Sequence, residues 1–212
     1  MSRKLIFPLM LLLLTACTTE EWANRLPYAG PVEISVRKGE FLPGTDIQYL
    51  SKTKDGAQVL IGEKKALKKI GDSLDWKGDM LKGVNVDQTL RVALVTEEAL
   101  HTAGTVRVIV SNPVPQAEPL DTSAPVHFKL PVGYHIEKEQ VIPGTAIGYL
   151  GKTDDGAHLA NVEGYCYRQA GDSIVWEGKL RDGVWIELNL RAMLITDNVL
   201  DVVGTADLWV AP

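Results

Sequence analysis

The stretch "PGTDIQYLSKTKDGA", residues 43–57, returns a hundred residues later as "PGTAIGYLGKTDDGA", residues 143–157. Residues 31–110 align with residues 131–210 without a gap, and about 30 of the 80 aligned positions are identical, which indicates an internal repeat rather than chance. The period is much longer than that of a solenoid unit. The chain therefore carries two copies of one small domain.

Each copy has the pattern of an all-β domain. Apolar residues alternate at Val32, Ile34 and Val36, the period of two expected of a half-buried strand. Asp-Gly at 55–56 and again at 155–156 predicts hairpins, because the turn needs positive φ. Six or seven short strands separated by turn signals predict a small antiparallel β-sandwich. The alternative is a small up-and-down β-barrel, because the strands follow one another as a meander.

The secondary structure of residues 63–73 can be predicted only by comparing the two copies. Residues 63–73 have a helical composition, but their counterpart alternates through Tyr165 and Tyr167 as a strand does. Because the copies should share a fold, we expect a strand over 64–70 with its lysines exposed.

Gly204 interrupts the last apolar strand and predicts a bulge or bend there.

The start of the chain resembles a bacterial lipoprotein. Arg3 and Lys4 precede an apolar run at 5–14, which is shorter than the roughly 20 residues of a membrane-spanning helix. Residues 14–17, Leu-Thr-Ala-Cys, then resemble the lipobox. The resemblance implies cleavage before Cys17 and acylation of its thiol. The alternative is an ordinary cleaved signal followed by an unrelated cysteine.

The resemblance also implies a location. Two or three acyl chains, each contributing about 0.8 kcal/mol per buried CH₂, would hold the protein on a membrane. The membrane is therefore the first expected partner. We expect an extracytoplasmic protein on the outer membrane or on the outer face of the cell membrane. Thr18 stands where an aspartate often signals inner-membrane retention in such lipoproteins, and so favours the outer membrane in a diderm cell.

These patterns divide the chain into five parts. The segment between the repeats holds four prolines and is expected to be a semi-rigid spacer, so that the second repeat should fold alone. The parts are a signal peptide at 1–16, a lipidated tether at 17–30, the first β-domain at 31–110, the linker at 111–125 and the second β-domain at 126–212.

Composition narrows the function classes. The formal net charge is -5, so the chain lacks the basic character expected of a nucleic-acid-binding protein. Cys17 and Cys166 are the two cysteines, and lipid on Cys17 would leave Cys166 without an intrachain partner. We expect Cys166 to be a small buried side chain.

Motifs for catalysis or metal binding do not occur in the sequence. There is no His-Glu-x-x-His pattern, no Cys/His pairing and no phosphate-binding glycine loop. Ser73 and Ser173 lack the Gly-x-Ser-x-Gly context of a nucleophile elbow. We expect no cofactor, no metal and no catalytic residues. Asp72 and Asp172 are expected to accept hydrogen bonds from nearby backbone amides in turns.

The copies differ most at three aromatic positions of the second repeat, which are the candidate ligand-binding residues. Core packing is the alternative explanation for them; exposed, they would offer large rigid contact area to a sugar or a peptide. They are Tyr165, Tyr167 and Trp185, which stand where the first repeat has Lys65, Leu67 and Asn85. The lysines of the first repeat predict either a protected strand edge or attraction to anionic headgroups near the anchor.

Together these observations predict a lipid-anchored binding or scaffolding protein of the cell envelope, with an envelope protein or a glycan as its partner. The repeat resembles Ig-like modules of bacterial surface proteins in pattern only. The alternatives are an enzyme acting on envelope polymers, with its site between the domains, and an accessory subunit of an envelope complex.

Overall fold

The computed structural model describes residues 24–212, so the signal peptide, the lipobox and Cys17 lie outside the described residues. The all-β prediction is confirmed: residues 24–212 form fourteen strands and no helix. Accordingly, this part of the chain holds no helix with the length and hydropathy of a membrane span.

Each repeat contributes seven strands. Those of the first are β1 (Arg25–Arg37), β2 (Ile47–Thr53), β3 (Gly56–Ile61), β4 (Lys64–Lys68), β5 (Trp76–Leu81), β6 (Val84–Val95) and β7 (Ala99–Ser111). Those of the second are β8 (Val126–Glu137), β9 (Gly148–Thr153), β10 (Gly156–Ala160), β11 (Tyr167–Arg168), β12 (Ser173–Arg181), β13 (Val184–Ile195) and β14 (Val199–Val210).

The strands pair into two antiparallel sheets per repeat. The long sheets have the strand orders β1-β7-β6-β5 and β12-β13-β14-β8, and the short sheets have the orders β2-β3-β4 and β11-β10-β9. None of these sheets closes on itself, so the arrangement is that of tandem sandwiches and not of barrels. Both Asp-Gly hairpins are present, joining β2 to β3 and β9 to β10.

The repeated phrase builds the corner that leads from the first long strand into the short sheet. The Thr45 hydroxyl donates to the carbonyl of Leu42 at 2.9 Å and accepts from the amide of Ile47 at 3.0 Å. The Tyr49 hydroxyl donates to the carbonyl of Thr96 at 2.6 Å and so ties the short sheet to a turn of the long sheet. The second repeat makes the same bonds at the equivalent positions, which explains why these residues recur.

The hydrophobic core runs from one repeat into the other. A short sheet covers only one end of its long sheet, and the other ends of the two long sheets meet in one buried cluster. Equivalent residues of the two copies occur together in it: Val84 with Val184, Val86 with Ile186, Tyr28 with Phe128, Val108 with Leu208 and Val110 with Val210. The repeats therefore meet through equivalent surfaces, as the subunits of a twofold dimer do.

Contacts around this shared core are reciprocal. A Cβ placed on Gly83 would meet Arg181, and one placed on Gly183 would meet Leu81, so the two equivalent turns lie against the opposite repeat. Burial raises the pKa of Tyr134 to about 12 and that of Tyr28 well above its usual range. An isolated second repeat would expose its half of this interface to water.

Three local expectations have different outcomes. The strand predicted over 64–70 is present but shorter, since β4 spans Lys64–Lys68; Lys64 and Lys65 are exposed as expected, whereas Lys68 is half-buried. Its counterpart is shorter than predicted, because β11 holds only Tyr167 and Arg168. The expected interruption at Gly204 is wrong, because β14 is continuous; a Cβ there would lie 2.0 Å from the carbonyl oxygen of Asn189 on β13, so glycine permits close backbone approach.

The proline-rich linker lies along the edge of β12. Val114 donates its amide to the carbonyl of Leu180 at 2.7 Å. Gln116 and Lys179 exchange two backbone hydrogen bonds of 2.9 Å each, in antiparallel register. Part of the predicted spacer thus extends the long sheet of the second repeat.

Candidate functional site

Tyr165 and Tyr167 lie on the surface of the second repeat. Tyr165 is 66% exposed and precedes β11, whereas Tyr167 is half-buried within that strand. Their ring centroids are 5.4 Å apart and their planes are tilted by 60°. Neither ring belongs to the buried core clusters, so core packing does not account for them. Between them, Cys166 is a free thiol and only partly buried, where a buried side chain was expected.

A histidine extends this pair of rings. His158 on β10 lies opposite Tyr167 on β11, and the two rings stack at 4.8 Å with planes 26° apart. Its neighbours Ala157 and Leu159 are buried, so alternation along the strand directs His158 outward. We call His158, Tyr165 and Tyr167 the aromatic cluster.

An arginine and an aspartate hold the segment that carries the aromatic cluster. Arg168 donates from Nε to the carbonyl of Ser173 at 2.9 Å and from Nη1 to the carbonyls of Tyr165 and Tyr167. Asp172 accepts the amide of Gln169 at 2.7 Å, which confirms its predicted role in the turn. Because these bonds restrain the backbone, the rings lose less conformational freedom when a ligand binds.

The first repeat presents a different surface at the same place. The counterparts of the cluster are Gln58, Lys65 and Leu67, and Lys65 is exposed. Lys68 takes the place of Arg168 and reaches only the carbonyl of Ser73, at 2.8 Å. One scaffold therefore carries a basic surface in the first copy and an aromatic one in the second.

Trp185 is not part of the aromatic cluster. It lies on β13 in the long sheet, whereas Tyr167 lies on β11 in the short sheet, so the structure does not bring the three predicted residues onto one sheet. Its side chain alternates with buried Val184 and Ile186 and faces away from the core. Across the sheet it is paired with Trp209 on β14.

A second group of side chains surrounds Trp185 on this outer face. Trp209 stacks on His127 with ring centroids 4.8 Å apart and planes within 17°. The carboxylate of Asp207 lies 2.9 Å from Nε2 of His127 and 2.9 Å from Nζ of Lys129. Asp207 keeps only 11% of its side chain exposed, so its carboxylate contacts His127 and Lys129 rather than bulk water.

Sequence reasoning missed His127, His158 and Trp209. His127 and His158 sit at outward positions of strands with a clear alternation, so their side was readable from the pattern. Trp209 follows three buried residues in succession, so its side was not. Each of the three has its aromatic partner on a neighbouring strand, and that pairing depends on register, which alternation alone does not specify.

A cleft opens at one side of the second sandwich. It has a volume of about 440 Å³ and lies between β12 and the turn after β10, lined by Ile147, Val162, Glu163, Arg168, Ile174 and Trp176 among others. Residues 24–212 contain no group of three or more His, Cys, Asp or Glu side chains placed to hold a metal ion.

Comparisons with protein-family models, with curated proteins and with solved structures found no match to this chain.

Proposed function

We propose that this chain is a lipid-anchored binding protein of the cell envelope, which presents its second repeat to a protein or a glycan outside the cytoplasm. Two features support the proposal: the lipobox pattern at 14–17 and the exposed aromatic cluster. Residues 25–30, which the sequence predicted as part of the tether, belong to β1 and pair with β7.

The aromatic cluster is the observation that carries the binding function. Tyr165 exposes most of its ring although its position is restrained by Arg168 and by its contact with Tyr167. Rigid, exposed tyrosine rings supply contact area at small conformational-entropy cost. They can stack on the apolar face of a sugar or on a peptide side chain, while the hydroxyls and His158 offer hydrogen bonds.

The lysines of the first repeat suit a surface beside the anchor. Lys64, Lys65 and Lys69 are exposed, and each lysine near an anionic leaflet contributes about 1 kcal/mol of attraction. We therefore assign the first repeat to the membrane side and the second to ligand capture.

Binding at the outer surface is supported better than an enzyme with a site between the domains. The region where the repeats meet is filled by apolar side chains such as Val108 and Leu208, which lack groups for proton transfer or nucleophilic attack.

Replacement of the lipobox cysteine tests the anchor. Cys17→Ala is expected to abolish acylation and to move the protein from the membrane to the soluble fraction, because acyl chains supply the anchoring energy. Fractionation after a salt wash, with mass spectrometry of the N-terminal peptide, is the measurement. A Cys166→Ala control should remain on the membrane. The anchor is wrong if the Cys17 variant still sediments with washed membranes.

Replacement of the most exposed ring tests the binding surface. Tyr165→Ala should change the free energy of unfolding by only about 0.5 kcal/mol, because little of the ring is buried. Capture of envelope glycan or protein by the full-length chain should fall about tenfold or more, as for loss of an aromatic anchor. The matched control is Leu67→Ala, an exposed position on the equivalent strand of the first repeat, which should leave capture unchanged. Unchanged capture by the Tyr165 variant would remove the aromatic cluster from the binding surface.

A further inference from the structure

The second repeat has an open strand edge. In its long sheet, β12 pairs with β13 on one side only. The linker residues Val114 and Gln116 occupy the C-terminal part of the other side, through their bonds to Leu180 and Lys179. The edge at Val175 and Glu177 lies beyond the reach of that pairing, whereas the carbonyl of Ser173 already accepts Nε of Arg168 at 2.9 Å.

The backbone of this edge is oriented to accept a strand. Lys179 directs both its amide and its carbonyl to Gln116, and alternate residues of an antiparallel strand direct these groups to the same side. Val175 and Glu177 therefore direct their amides and carbonyls to the open side. Within residues 24–212, neither Val175 nor Glu177 makes a backbone hydrogen bond to any element other than β13.

The equivalent edge of the first repeat is interrupted. There Asp75 accepts the amide of Leu90 with its side chain at 3.1 Å, and β5 begins only at Trp76. Lys77 follows, and a lysine on an edge strand opposes pairing with another strand. The second repeat replaces Asp75 by Val175, which is 51% exposed, and keeps a regular strand from Ser173 onward.

The 440 Å³ cleft runs beside this open edge. Its wall includes every residue from Ser173 to Glu177, together with Ile147 and Val162 from the opposite side of the sandwich. An added strand would point alternate side chains into this cleft and the others to the outer face beside Val175 and Glu177. The cleft wall is mixed, but Ile147, Val162, Ile174 and Trp176 form an apolar part of it. Inward side chains that lie against this part should be apolar.

The charges around the edge favour a basic occupant, because the neighbouring cation Lys179 is already paired with Asp182 at 2.8 Å. Glu163 and Glu177 line the cleft, and exposed Glu118 follows the paired part of the linker. The one cation in the cleft wall, Arg168, is engaged by backbone carbonyls. A second copy of this chain would bring an equally acidic rim to the contact, which disfavours self-pairing.

We propose that the edge of β12 at Val175 and Glu177 binds an extended segment of a partner protein, with alternating basic and apolar residues, as an added antiparallel strand. The segment continues the line that residues 114–116 begin. Its backbone bonds to Val175 and Glu177, its apolar side chains enter the cleft, and its basic side chains face Glu177 and Glu118.

A titration with defined peptides tests this inference. The full-length protein in mild detergent is titrated into a fluorescent, end-capped heptapeptide of alternating lysine and valine, and anisotropy is measured. We expect saturable binding that weakens with salt. A peptide with N-methyl groups on alternate residues, and one with glutamate in place of lysine, should each bind about tenfold more weakly or worse, from lost backbone bonds or reversed charge.

Variants locate the site. Val175→Pro removes an outward amide and should weaken the lysine peptide about tenfold. Glu177→Lys should reverse the preference between the lysine and glutamate peptides. If the proline variant does not fold, this charge reversal alone shows whether the peptide binds at the edge. Lys77→Glu, at the equivalent position of the first repeat, is the control without effect. Tyr165→Ala should also leave the peptide affinity unchanged, so that this inference and the aromatic cluster stand or fail separately.

Three results would overturn the inference. The first is the absence of saturable binding, and the second is equal binding of the N-methylated peptide, which would mean charge attraction without strand addition. The third is a dimer of the free chain that Val175→Pro dissociates, since the edge would then pair with a second copy.

Discussion

Residues 126–212 produced without the first repeat are expected to self-associate instead of behaving as a stable monomer. The second long sheet would expose Val184, Ile186, Leu208 and Val210, which in the full chain are buried against the first repeat. Because equivalent surfaces of the two copies meet, a second molecule of the fragment can take the place of the missing repeat. Contiguous apolar surface of this kind favours association over exposure.

Sedimentation velocity and thermal melts over a range of concentrations measure the self-association of this fragment. The melting midpoint of the fragment should rise with its concentration, as it does for any species stabilised by association. The full chain serves as the control, and its midpoint should not depend on concentration. A monomeric fragment with a concentration-independent, cooperative melt would show instead that the shared core is dispensable and that the second repeat folds by itself.

Leu208→Ala in the full chain is expected to lower the free energy of unfolding by about 2–5 kcal/mol, the range for a leucine removed from a packed core. Leu208 is 0% exposed and belongs to the cluster where the repeats meet. The loss combines the transfer energy of the deleted carbons with a cavity that two opposed sheets cannot readily close.

Urea denaturation gives the measurement, as a lower midpoint with an unchanged slope. Val203→Ala is the matched control, because Val203 lies on the same strand but is 46% exposed, and its replacement should change the free energy by only about 0.5 kcal/mol. Equal effects at the two positions would mean that the repeats do not share a tight core. Combining Leu208→Ala with Val108→Ala should depart from additivity, because both residues contribute to one cluster.

Much of the architecture was readable from local pattern. The repeat, the Asp-Gly hairpins and the outward and inward sides of β13 follow from residue types at fixed spacing. The strand over Lys64–Lys68 was found by comparing copies, because a shared fold outweighs a helical composition in one of them. The exposure of Tyr165 required the structure, since β11 begins only at Tyr167 and leaves Tyr165 outside the strand.

The sequence alone determined the elements of this protein, because strands and turns depend on residues close together in the chain: an all-β chain of two related copies, each with its pattern of buried and exposed positions. Only the tertiary structure decided which surfaces meet. It joined the two cores, docked the linker on β12, placed Trp185 and Tyr167 on different sheets and left the outer side of β12 at Val175 and Glu177 without a second partner strand. The physical reason is that apolar strand faces are similar in composition, and which of them pair depends on shape and register over distant parts of the chain.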